Sequence, residues 1–145
     1  MHNSMHRSDI AKWWMILSGV AMIVMGGLAY VDSNLVGSRP DAVLAMTPMH
    51  GAVHAVAGLV MIGIGFGLSG RTRAAATLLT GVAFMVAFAL NMANPDFWSR
   101  MDMPVNNAVH VMHFTMGLLS LAAGFVASTE AVHRQPMLIH GSPLR

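Results

Sequence analysis

The chain contains no cysteine. Disulfides, thiolate metal sites and CxxCH haem attachment are thereby excluded. Charge is nearly as scarce: Asp, Glu, Lys and Arg make up 10% of 145 residues, where a soluble domain carries about 25%. No Asp, Glu, Lys or Arg interrupts Trp13–Val31, Gly51–Ser69, Ala74–Leu90 or Ala108–Ala127. These runs hold no carboxylate pair for acid–base work and no buried charge of the kind transporters use. A Ser-His-acid set and a phosphate-cradling Gly loop are also lacking, and "GIGFG" (Gly63–Gly67) lies inside an apolar run. An enzyme is not expected.

What is present is apolar: 55% of the residues are hydrophobic and mean hydropathy is +0.60. Each uncharged run has about the 20 residues that cross ~30 Å of hydrocarbon as a helix. The sequence therefore predicts an all-α, four-transmembrane-helix bundle, a single integral membrane domain over residues 1–145. Its helices are expected at about 12–31, 49–69, 73–91 and 106–127, with tails at 1–11 and 128–145. The first run is too long for a signal-peptide core, and "GGLAYVDS" offers no small-x-small cleavage site, so it reads as a retained helix. Trp13 and Trp14 at its start suit an interfacial anchor.

Lys and Arg concentrate in loops that stay inside. The first tail (Arg7, Lys12), the "GRTR" turn (Arg71, Arg73) and the last tail (Arg134, Arg145) hold six of the eight. The loops Asp32–Thr47 and Met92–Val105 hold Arg39 and Arg100 beside four aspartates. Both termini are thus expected to be cytoplasmic, in a multi-pass protein of the bacterial inner membrane. The pI near 9.9 reflects basic residues flanking membrane helices, so nucleic acid is not an expected partner.

Four of the eight histidines fall at the outer starts of the second and fourth runs: His50, His54, His110 and His113. His2, His6, His133 and His140 belong to the tails. In register, Pro48-Met-His-Gly-Ala-Val-His54 matches Pro104-Val-Asn-Asn-Ala-Val-His110 at four of seven positions. Proline at a first helical turn is a start signal. The match suggests two parallel helical-hairpin repeats about an axis along the membrane normal, which would set His54 against His110. Gly51, Gly58 and Gly65 on the second run, and Gly117 and Gly124 on the fourth, mark helix-packing faces, since small residues allow close backbone approach in lipid. Gly19, Gly26, Gly63 and Gly67 offer further such points.

At "MHGAVHAVAGLVMIGIG" (Met49–Gly65) and "NNAVHVMHFTMGLLSLAAG" (Asn106–Gly124), with the basic Ala-rich turn before the third run, the chain resembles a family of small bacterial four-helix membrane proteins known only as domain of unknown function 4383. The likeness spans roughly residues 48–125. Asn107 stands where that family is expected often to carry an acid. The resemblance implies a four-helix membrane protein and supplies no activity.

Spacings of i,i+4 (His50, His54) and i,i+3 (His110, His113) put each pair on one helix face. Four imidazoles suit a transition metal, and nearby Met46, Met49, Met101, Met103 and Met112 would favour copper. Alternatively, His54 and His110 could bind haem b, with Arg39 or Arg100 near the propionates, and one His among small residues could ligate a (bacterio)chlorophyll. The bland alternative is that the histidines bond to each other, to Asn106, Asn107 or Thr115, or to backbone carbonyls, as polar glue without a cofactor. The sequence favours this last view: a non-enzymatic accessory or packing subunit of a larger membrane assembly, whose partners are the lipid bilayer and other membrane subunits or copies of itself.

Overall fold

The computed structural model describes residues 7–39, 41–94 and 96–133. Tail residues His2, His6, His140, Arg134 and Arg145 lie outside them, as does the His133 side chain. The long helices are α1 (Arg7–Leu28), α2 (Pro48–Gly67), α3 (Gly70–Ala93) and, after the single turn α4 (Asp96–Ser99), α5 (Asn107–His133). Each contains a stretch of 20 to 24 residues long and apolar enough to cross a membrane. α1 starts and ends earlier than expected, giving way to turns after Leu28. α5 runs on to His133, because no Gly or Pro interrupts it after Gly124.

The chain is not wholly helical. Between α1 and α2, β1 (Val36–Gly37) and β2 (Leu44–Ala45) form a short parallel ladder, Val36 opposite Leu44 and Gly37 opposite Ala45. Ala29, Val36 and Met46 pack beneath it as a small core.

Two antiparallel pairs make the bundle, α1 with α2 and α3 with α5, and α1 also lies along α5. Among the described residues the backbones of α2 and α5 do not touch. Glycine dictates the first pairing. A Cβ on Gly51 would strike the Gly26 backbone, and one on Gly65 would stand 2.6 Å from the Ile16 side chain. In the second pair, a Cβ on Gly117 would stand 2.8 Å from Met85, and one on Gly124 2.8 Å from Leu78. Where lipid offers no hydrophobic drive, such close approach supplies the dispersion contacts that hold helices together. Gly63 and Gly67 have nothing within 4 Å of an added Cβ, so they are not packing points among the described residues. Gly70, at φ +52°, lets the chain reverse between α2 and α3.

Met15, Met22 and Met61 form the central core, with Trp14, Phe84 and Met116 packed on it. Trp14 is half-buried and turns inward, its Nε1 donating to Ser120 Oγ on α5 at 2.9 Å. Its neighbour Trp13 is exposed. The hydroxyls of Thr77 and Thr80 donate to carbonyls one turn back, at 2.9 Å each, which satisfies them inside an apolar helix. Large apolar side chains such as Leu17, Leu59, Leu79 and Phe125 point outward and exposed.

Candidate metal centre

The site grows from two helix starts. Thr47 caps α2, its Oγ1 accepting from the His50 N–H at 3.3 Å, and Pro48 opens the first turn. Asn106 caps α5, its Oδ1 accepting from the Val109 N–H at 3.1 Å. Each cap is also tied to the loop before the other helix. The Thr47 hydroxyl donates to the Asp102 carbonyl, and Asn106 Nδ2 donates to the carbonyls of Ala42 and Val43. The two helix starts, and the histidines they carry, are thereby held side by side.

His50 and His54, one turn apart, stack edge to face with ring centres 4.6 Å apart. The ring that meets them from α5 is His113, at 6.2 Å from His50 and 5.9 Å from His54. All three are at least nine-tenths buried, and each can offer a nitrogen within 4.8 Å of the other two. Among the described residues, Nδ1 of each is buried without a hydrogen-bond partner, although a buried polar group left unpaired costs free energy.

His110, expected to face His54, does not join this group. Its ring lies against Asn91 Nδ2 at 3.3 Å and edge-on to Phe88 at 6.3 Å, both on α3. The reason is helical geometry. His110, Gly117 and Gly124 recur every seven residues and all look toward α3, just as Gly51, Gly58 and Gly65 look toward α1. Three residues beyond the first member of each stripe the direction turns by about 60°, and there stand His54 and His113. The glycine stripes thus match with an offset of 59, not the 56 that aligns Pro48 with Pro104. Under that offset His54 corresponds to His113.

The spacing of the three ring centres suits an ion. A point equidistant from their centres lies about 3.3 Å from each, and a metal bonded to an imidazole nitrogen at about 2.0–2.1 Å stands about 3.2 Å from the ring centre. Beside the rings opens a cavity of about 320 Å³ that Met22, Met61 and Met103 also line. Of the methionines singled out in sequence, only Met103 reaches it. Met46 is buried in the loop core, Met49 and Met101 are exposed and Met112 is half-buried. Met22 and Met61 went unnoticed because they lie mid-helix, far in sequence from the histidine motifs. Asn91, which partners His110, had no local signal either.

A haem fits these residues poorly. Arg39 is exposed and lies 3.8 Å from Asp41, Arg100 is exposed, and among the described residues no basic side chain lines the cavity to meet propionates.

No family model, curated protein or solved structure matches the chain. Its function is therefore read from its own residues.

Proposed function

We propose that the chain is a multi-pass protein of the bacterial inner membrane that holds one copper(I) ion between His50, His54 and His113. The observation that carries this reading is the set of three buried imidazoles whose Nδ1 atoms have no partner. A purely structural accessory subunit, packed beside other membrane proteins or its own copies, would leave those three nitrogens unsatisfied for no return. An ion bound by imidazole removes the deficit.

The choice of metal follows from charge. Neutral imidazoles bind zinc, copper, iron and nickel alike. Among the described residues no acidic side chain lines the site to neutralise a divalent ion, and the penalty for burying an ion grows with the square of its charge. A monovalent ion is therefore favoured, and copper(I) accepts three-coordinate imidazole with thioether nearby. The asymmetry of Lys and Arg supports both termini in the cytoplasm, which puts the site in the outer half of the membrane. The paired glycine stripes support two parallel hairpin repeats.

The test is a titration of protein in lipid nanodiscs with copper(I), zinc(II) and nickel(II), each against a competing chelator. The expected result is one copper(I) per chain, bound in preference to the others. Preference for zinc would overturn the choice of metal, and uptake of none would overturn the site.

A further inference from the structure

α2 and α3 are joined by a tight turn at one end but stay apart at the histidine end, and the cavity of about 320 Å³ occupies the gap. Exposed Val53 and Val60 of α2 and Ala83 of α3 line it at the outer surface of the bundle, midway along helices apolar enough to cross a membrane. At the loop end it is lined by Trp98, buried Met103 and Val105 from the segment before α5, which the Thr47 hydroxyl ties to the start of α2 through the Asp102 carbonyl. A molecule reaching the histidines therefore arrives sideways, from the bilayer.

The lining states what kind of molecule fits. Among the described residues no Lys or Arg reaches it, so a carboxylate or phosphate head finds no counter-charge, and no Asp or Glu reaches it to meet an amine. The Thr80 hydroxyl is already donated to the Ala76 carbonyl. Hydrogen-bonding or ligating capacity is concentrated at His50, His54 and His113. Phe84, 6.0 Å from the His113 ring, and Trp98 supply aromatic surfaces. Few polar groups in a mostly apolar pocket of this size describe a small-molecule site, and aromatic walls suit a flat ring.

We propose that this cavity is a lateral binding site for a lipid-soluble quinone, with its ring against Phe84 and Trp98 and its carbonyl edge at His54 and His113. The proposal goes beyond metal binding: a neutral imidazole that gives Nδ1 to an ion keeps its Nε2–H to donate to a quinone carbonyl.

Native mass spectrometry of the protein released from quinone-free nanodiscs, after incubation with decylubiquinone, counts the adduct, and metal content is measured on the same sample. One decylubiquinone per chain is expected. Val60→Phe and Ala83→Phe, both at lipid-exposed positions that leave the core untouched, should each reduce occupancy at least tenfold with metal per chain unchanged. Occupancy undiminished in both variants, no adduct at all, or equal displacement by a saturated ten-carbon alcohol would overturn the proposal. Loss of metal with quinone retained would count against the copper reading alone, and loss of quinone with metal retained against this one alone.

Discussion

Gly19 and Gly58 exclude any side chain from each other's position. A Cβ on Gly19 would stand 2.7 Å from the Gly58 carbonyl oxygen, and one on Gly58 2.5 Å from that of Gly19. This contact, repeated seven residues away by Gly26 and Gly51, fixes the rotation of α2 about its axis. With the glycine stripe turned to α1, His50 and His54 are turned to the bundle centre. The backbone seam thus aims the candidate ligands.

Gly58→Ala should therefore separate α1 from α2 and destabilise the fold by about 1–3 kcal/mol, the usual range for overpacking. Gly63→Ala, in the same helix with open space around it, should be neutral or stabilising by about 0.5–1 kcal/mol. Thermal unfolding of the two variants in the same detergent checks the contrast. Equal effects would remove the seam from the account.

Asn106→Ala removes both the α5 cap and the tie to Ala42 and Val43. Loss of a helix cap costs about 1 kcal/mol, and the loss of the tie should add to it. Hydrogen exchange should rise in residues 41–47 as well as in the first turn of α5. Faster exchange in α5 alone would show that the cross-tie carries no weight.

Ser120→Ala leaves the Trp14 indole N–H without its acceptor. An unmade buried hydrogen bond costs about 1–3 kcal/mol. The melting temperature should fall and Trp14 fluorescence should change, while metal content should hold, because neither residue lines the histidine cavity.

The lack of cysteine makes topology easy to test. Single substitutions Asn34→Cys, Ser99→Cys and Ser69→Cys all fall at exposed positions. In intact cells an impermeant thiol reagent should label the first two and spare the third. The opposite pattern would reverse the orientation and place the histidine site in the inner half of the membrane.

The four spans were legible because uncharged runs of helical length carry their own signal along the chain, independent of tertiary contacts. His50 and His54 were legible as a pair for the same local reason, since i,i+4 spacing shares a face on any helix. The partner from α5 was not. The Pro48/Pro104 alignment pointed to His110, yet a helix start fixes where a helix begins and not how it is rotated. Rotation is set by the glycine stripes, and counting their offset of 59 would have pointed to His113. Asn91 and Met22 were out of reach, because their places at or near the site arise only from long-range packing.

The most direct measurement is copper per chain, by mass spectrometry, in protein purified from copper-supplemented membranes alongside three single variants. The account predicts about one copper in the wild type and in His110→Ala, whose ring belongs to Asn91, and almost none in His54→Ala or His113→Ala. Copper retained by His113→Ala, copper lost from a folded His110→Ala, or a wild type without metal would contradict it.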